Sequence, residues 1–216
     1  IEEIQKELVR RNNLVNGMVY LEVTRGADSG RDFAFPKGSV KPTLIMFTSV
    51  KDIVNAPAAK TGIGVITVPD IRWARRDIKS VALLAQVLAK QAAAEANAGE
   101  AWMIEDGKVT EGGSSSCFIL TQDDVIVTRQ NGSEILPGCT RKAVVKLAEE
   151  RQLRVEERAF SVEEALAAKE AFITSATVFV QAVVSIDGKK VGSGKPGPMT
   201  DRLREIYVDF ARATAV

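Results

Sequence analysis

The chain has 216 residues, with 29 Lys and Arg against 28 Asp and Glu and a net charge of +1. It therefore offers no global electrostatic attraction to nucleic acid or to a membrane surface. It contains no histidine, which excludes Ser-His-Asp and Cys-His triads and histidine-ligated metal sites. An enzyme of this composition must use Lys, Asp, Glu, Tyr or Cys as its acid or base, or rely on a cofactor.

The cysteines and the hydropathy of the chain indicate the cellular compartment in which we expect it to work. Cys117 and Cys139 lie among apolar or small residues, which is typical of reduced thiols rather than of a disulfide framework. No apolar run reaches the length of a transmembrane helix, and no signal peptide is visible. We therefore expect a cytoplasmic protein with neither a membrane nor a nucleic acid as a partner.

The N-terminal part of the sequence predicts a partial small α/β domain over residues 1–54. Apolar residues at helical spacing predict an amphipathic helix over 1–16. Alternating apolar and polar residues predict strands at 18–24 and 43–48, separated by a glycine- and aspartate-containing loop at 25–36. Since the helical pattern is already in register at residue 1, we expect the sequence to begin within a domain.

The remainder predicts a linker at 55–61 and a larger mixed-strand domain over 62–216. A strand at 62–68 leads to a long Ala- and Leu-rich helix for which Ser80 is the predicted N-cap. Asp106-Gly107 and Asp187-Gly188 predict two-residue β-hairpins. Helices and strands alternate without regular βαβ repetition, so the predicted fold class is α+β.

A basic stretch between the strand at 62–68 and the long helix contains the first candidate for chemistry, Lys79. Its cationic neighbours are Arg72, Arg75 and Arg76. Their positive charge, together with partial burial against Ile78 and Val81, disfavours a protonated amine and predicts a neutral nucleophile able to form a Schiff base. Asp77 opposes this effect, so a basic turn that faces solvent stays open as the alternative.

The residues around Lys79 resemble the segment that carries the pyridoxal-phosphate lysine in D-amino-acid transaminases. These enzymes are fold-type IV aminotransferases, together with branched-chain aminotransferases and aminodeoxychorismate lyases. Four further motifs match in the same order along the chain, namely YLEVTRG at 20–26, TEGGSSS at 110–116, LPGCTR at 136–141 and FITS at 172–175. The resemblance therefore covers nearly the whole sequence and implies the fold-type IV architecture.

The resemblance implies a pyridoxal 5'-phosphate cofactor held by Lys79. Glu111 matches the glutamate that holds the pyridine nitrogen, where an anion keeps the ring an electron sink. The other residues that match cofactor contacts are Ser114 and Ser115 beneath the ring, Leu136 packed on it, and Cys139, Thr140, Ser175 and Ala176 around the phosphate. A phosphate contact at Thr140 is also plausible without the resemblance. A helix that starts after Pro137 presents its free backbone N–H groups to an anion.

Substrate binding is where the sequence departs from the family. Arg31 matches the arginine of an Arg-x-His pair that binds the substrate carboxylate, but Phe33 stands where the histidine is usual. Tyr20 matches a tyrosine on the substrate side. A phosphate-binding arginine and an active-site tyrosine of the family precede the first residue, so we expect the given sequence to omit part of the functional protein. Ala176 replaces a threonine, which leaves only a backbone N–H at that position.

The function implied is a ping-pong transamination between a D-amino acid, such as D-alanine, and a 2-oxo acid. A branched-chain L-amino-acid aminotransferase and an aminodeoxychorismate lyase are the alternatives within the family, and a binding protein that kept the fold without the cofactor is the alternative outside it. The resemblance also implies a homodimer.

Overall fold

In its described residues, the N-terminal unit of the chain has one helix and a two-stranded sheet. The computed structural model describes residues 1–27, 30 and 32–215, which divide into two units, Ile1–Ile53 and Val54–Val216. Helix α1 (Glu2–Arg11) has glutamates in its first turn and arginines in its last, and both arrangements are favourable for the helix dipole. Strands β1 (Gly17–Thr24) and β2 (Thr43–Val50) pair antiparallel from Gly17 opposite Val50 to Thr24 opposite Thr43.

The second unit is built on a nine-stranded mixed sheet. Its strands are β3 (Ile63–Pro69), β4 (Glu100–Glu105), β5 (Lys108–Gly112), β6 (Ser116–Leu120), β7 (Val125–Thr128), β8 (Arg154–Glu157), β9 (Glu170–Ser175), β10 (Phe179–Ile186) and β11 (Lys189–Lys190). They lie in the order β5-β4-β3-β10-β9-β6-β7-β8, with β11 paired to β10. The pairs β3–β4, β3–β10 and β7–β8 are parallel, and the other pairs are antiparallel.

Within the described part of this unit, five helices accompany the sheet. They are α2 (Pro57–Thr61), α3 (Leu84–Glu95), α4 (Cys139–Glu149), α5 (Val162–Leu166) and α6 (Pro198–Ala213). Helix α3 connects the parallel strands β3 and β4, as a parallel crossover requires. Residues 55–61, which the sequence predicts as a linker, lie in the second unit and include α2.

Both faces of the sheet are buried, and β6 shows how. Along this strand Phe118 and Leu120 pack into a core with α4 and α6, whereas Cys117 and Ile119 pack into the core on the opposite face. Successive side chains of a strand point to opposite faces, so one short apolar strand supplies both cores. The second core also contains Trp102, which packs edge to face against Phe160 with ring centroids 6.1 Å apart.

The predicted hairpins are confirmed, but the predicted start of α3 is not. Asp106 and Asp187 have φ of 49° and 48°, and the glycine after each also has positive φ, as expected for tight hairpin turns. Helix α3 begins at Leu84, not at Ser80, and among the residues described no side chain caps it. The prediction of Ser80 as N-cap is therefore wrong. No helix within the described ranges has the length and apolar character that crossing a membrane requires.

Candidate active site

The segment that follows β3 is anchored by ion pairs. Arg76 donates two hydrogen bonds to Glu105, at 2.7 and 2.6 Å, and its backbone N–H donates to Ser133 O at 2.9 Å. Arg75 pairs with Asp77 at 2.8 Å, and Arg72 with Asp70 at 2.6 Å. Each arginine of this stretch thus has a carboxylate partner. The positive charges that the sequence predicts around Lys79 are therefore paired with carboxylates, and activation of the amine stays a prediction.

Lys79 itself is exposed. Ile78 and Val81, which the sequence predicts to pack against Lys79, are 44% and 78% exposed, so the predicted partial burial is wrong. The physical reason is that residues 77–83 belong to neither a helix nor a strand, and α3 starts only at Leu84. The apolar side chains before this helix are consequently not packed against the core.

Glu111 is a buried carboxylate near the end of β5, with 6% of its surface exposed. Arg72 Nη1 donates to its Oε1. The backbone N–H of Leu136 donates to both of its oxygens, at 3.1 and 3.2 Å. Burial raises the pKa of Glu111 above its ordinary value, and the positive charge of Arg72 opposes that effect. The structure thus brings together Glu111 and Leu136, two of the predicted site residues.

The turn between β5 and β6 contains two of the predicted cofactor-binding serines, and both contact a second buried carboxylate. Gly112 N–H donates to Ser115 O at 2.7 Å, which closes the turn. The hydroxyls of Ser114 and Ser115 both donate to Glu100 Oε2 at 3.1 Å. Glu100 is 2% exposed, and Lys90 Nζ lies 3.2 Å from its Oε1. Sequence reasoning missed Glu100, for which the available signal is a charged residue at the start of an apolar strand.

The start of α4 presents backbone donors together with a buried hydroxyl. Gly138 precedes the helix with ψ of 131°, and none of the described side chains caps the helix there. Cys139 is exposed, whereas Thr140 is 3% exposed and its Oγ1 has no hydrogen-bond partner within the described part of the chain. A Cβ at Gly138 would lie 3.0 Å from Ser116 Oγ, so a larger residue there would require the Ser116 side chain to shift by a few tenths of an ångström.

The turn from β9 to β10 contains the other predicted phosphate contacts. Ser175 Oγ lies 3.2 Å from Thr177 Oγ1, and Ala176 is exposed. Thr177 is a polar residue of this turn that sequence reasoning did not single out. Next to Ser175, Thr174 lies opposite Ser116 in the β6–β9 ladder. The register therefore puts this turn at the same end of the sheet as the start of β6.

The predicted substrate-binding residues belong to the first unit and are described separately. Tyr20 stacks on Phe47 with ring centroids 4.9 Å apart, and its hydroxyl donates to Glu22 Oε2 at 3.2 Å. Phe33 is 92% exposed. Arg31 lies outside the described residues.

Comparison with known proteins shows the family to which the chain belongs. The model of the family "Amino-transferase class IV" matches residues 1–186. The chain belongs to this family, whose members depend on pyridoxal phosphate, and its fold is fold-type IV.

Two curated relatives and one solved structure are similar to the chain over most of its length. D-alanine aminotransferase of Staphylococcus haemolyticus is 40% identical over 94% of this chain and 71% of the relative. D-alanine aminotransferase of Bacillus licheniformis is 43% identical over 92% of this chain and 69% of the relative. The crystal structure of a branched-chain amino acid aminotransferase of Escherichia coli has a TM-score of 0.84 and 27% identity over 96% of this chain and 69% of that one.

Proposed function

We propose that this protein transfers the amino group of a D-amino acid, such as D-alanine, to a 2-oxo acid in a ping-pong reaction that depends on pyridoxal 5'-phosphate. The observation that carries the proposal is the buried carboxylate of Glu111, held by Arg72 and by the backbone N–H of Leu136. The relatives named D-alanine aminotransferase support the substrate class.

The described residues fit the cofactor. Thr140 offers a buried hydroxyl that has no partner elsewhere in the described ranges, and the start of α4 offers backbone N–H groups, a combination that suits a phosphate. Ser175 and Ala176 would add contacts to the same phosphate. Ser114, Ser115, Leu136 and the backbone of Cys139 complete the proposed set.

The proposed roles divide the chemistry between the cofactor and the chain. When bound, the cofactor supplies the electron sink for the charge that develops at the substrate α-carbon. Lys79 would hold the cofactor through its amine and, once released from it, would take the proton from that α-carbon. Glu111 would hold the proton of the pyridine nitrogen. Arg31 and Tyr20 are proposed to bind the substrate.

A homodimer and a cytoplasmic location remain predictions. The resemblance to dimeric enzymes supports the first, and the sequence composition supports the second.

The half-reaction tests the proposal directly. Protein purified with pyridoxal phosphate should be yellow, and D-alanine should bleach its visible absorbance whereas L-leucine should not. Lys79→Ala should lower turnover on the order of a thousandfold or more, while the exposed Lys195→Ala should leave it unchanged. Bleaching by L-leucine alone would contradict the D-specific reading, and a colourless protein that binds no cofactor would contradict the enzymatic one.

A further inference from the structure

Glu111 is held in place by an arginine for which the motifs imply no role. The Arg72 side chain is 4% exposed, and its Nη1 donates to Glu111 Oε1. Leu136 N–H approaches the same carboxylate at 3.1 Å. Donors from two segments remote in sequence therefore fix the carboxylate.

Asp70 sets the direction in which the Arg72 guanidinium points. Its side chain is fully buried, at 0% exposure. Its Oδ1 accepts from Arg72 Nε at 2.9 Å and its Oδ2 accepts from Arg72 Nη2 at 2.6 Å. Thr110 Oγ1 also donates to Asp70 Oδ2, at 2.7 Å. A bidentate pair of this kind leaves the guanidinium little rotational freedom, so Nη1 stays directed at Glu111.

Arg72 is the neighbour that favours the ionised form of Glu111 against the effect of burial. Burial and the negative charge of Asp70 raise the pKa of Glu111, whereas Arg72 opposes them. The other charged groups packed nearby are Arg76 and Glu105, which pair with each other at 2.6 Å, and Glu134, whose backbone O accepts from Arg72 Nη2 at 3.3 Å. Arg72 is therefore the cation that acts on Glu111 by direct contact.

We propose that Arg72, anchored by Asp70, is a positioning residue that orients Glu111 and keeps it ionised before the cofactor binds. A protonated Glu111 could not pair with a cationic pyridine nitrogen, so the arginine prepares the site for its cofactor. This inference rests on the proposed function in one respect, namely that the group which Glu111 contacts is the pyridine nitrogen of the cofactor. The ionisation of Glu111 itself can be measured without cofactor.

The first experiment is a pH titration of the cofactor-free protein. Carboxyl ¹³C NMR follows Glu111, whose signal is assigned by its loss in Glu111→Gln. Arg72→Met should raise the pKa of Glu111 above that in the parent protein, whereas Arg72→Lys, which keeps the charge, should leave it closer to the parent value. Arg75→Met is the matched control, since that arginine lies in the same segment but its pair with Asp77 is 58% exposed on the arginine side, and it should change nothing.

The direction in which the pKa of Glu111 changes in Arg72→Met distinguishes a positioning role of Arg72 from a simple loss of structure. Disorder would expose Glu111 to water and lower its pKa toward the ordinary 4.5, the opposite of the expected rise. A folded Arg72→Met protein in which the pKa of Glu111 is unchanged or lower would overturn the proposal. If Arg72→Met does not fold, Arg72→Gln makes the same test, because it removes the charge and keeps donors for Asp70.

Cofactor affinity gives the second readout. Arg72→Met should weaken binding of pyridoxal 5'-phosphate by roughly tenfold or more, and Arg72→Lys should recover part of that loss. Equal affinity in the parent and Arg72→Met would contradict a role in preparing the site. If the parent protein binds no pyridoxal phosphate, the proposed function fails, while the titration still decides whether Arg72 controls Glu111.

Discussion

Thr140 carries a buried hydroxyl that contributes little to the fold on its own. The residue is 3% exposed, and Oγ1 has no partner among the residues described. Leaving such a group without a partner costs free energy. We therefore expect Thr140→Val to leave the stability of the cofactor-free protein unchanged or to raise it by up to about 1 kcal/mol. The same change should weaken pyridoxal phosphate binding by roughly tenfold, because a phosphate contact is lost.

Thr128 provides the matched control for this prediction. It is also buried, at 1% exposure, but its hydroxyl donates to Cys117 O at 2.8 Å. Thr128→Val should therefore lower the free energy of unfolding by about 1 kcal/mol and leave cofactor affinity unchanged. Urea denaturation and a cofactor titration distinguish the two variants. Equal cofactor affinity in Thr140→Val and the parent would contradict the phosphate role.

For single residues, the sequence predicts candidate site residues but not the side chains that they contact. Motif matching predicts that Glu111 is the carboxylate that meets the pyridine nitrogen, and the structure shows that this carboxylate is buried. Its contact with Arg72 joins residues 39 apart in the chain, and no local pattern predicts such a pair. For the same reason, the sequence does not reveal that the hydroxyls of Ser114 and Ser115 bond to Glu100, and their contact with the cofactor stays a prediction. Polar contacts of this kind depend on the strand arrangement, which the local sequence does not specify.

Helix α6 begins on a buried carboxylate from another element. Glu170 of β9 is 9% exposed and accepts hydrogen bonds from Met199 N–H and Thr200 N–H, at 3.0 and 2.8 Å. It also accepts from Thr200 Oγ1 at 2.7 Å. A carboxylate at a helix N-terminus satisfies backbone donors and interacts favourably with the dipole. Glu170 therefore serves as a cap that is remote in sequence.

Glu170→Ala should lower the free energy of unfolding by about 2 kcal/mol, because it leaves buried donors without their acceptor. Glu205→Ala, an exposed change within α6, should have an effect within about 0.5 kcal/mol. Chemical denaturation followed by circular dichroism measures both. Equal stabilities of the two variants would show that the cap does not contribute.

Elements whose signals are local were predicted well, and those set by packing were not. The hairpin turn at Asp106 depends on two adjacent residues, so the sequence specifies it. Ser161 likewise caps α5 through a local contact, since its hydroxyl accepts from Glu164 N–H at 3.2 Å three residues later. The start of α3, by contrast, was misplaced at Ser80. The N-cap preference for serine is a weak signal that packing overrides.

For the whole molecule, the order of the strands lay beyond sequence reasoning. The mixed α+β character follows from the alternating patterns, and the resemblance implies fold-type IV. The parallel pairing of β3 with β10, however, brings together Ile63 and Val183, which are far apart in the chain. Pairs at such separations are set by how both faces of the sheet bury their side chains, and single-strand patterns do not reveal them.

The pH dependence of stability is a property of the whole molecule to which Asp70 and Glu111 contribute with opposite signs. Burial tends to raise the pKa of Asp70, but hydrogen bonds from Arg72 and Thr110 outweigh it and hold the pKa below the ordinary 3.8. A carboxyl of this kind stabilises the fold above its ordinary pKa, and its contribution is lost as the pH falls through the lowered value. Glu111, whose pKa is raised above 4.5, instead favours the fold as it becomes protonated.

Asp70→Asn isolates the first contribution. At about pH 6, removing one partner of a buried ion pair should lower the free energy of unfolding by about 3–5 kcal/mol. This difference from the parent should shrink as the pH falls below 3.8, because the parent then loses the same charge. Urea unfolding over this pH range measures it, with the exposed Asp123→Asn as a control that should track the parent throughout. A difference that stays constant down to the lowest pH at which the parent folds would mean that the charge of Asp70 does not stabilise the protein, and its hold on Arg72 would then rest on hydrogen-bond geometry alone.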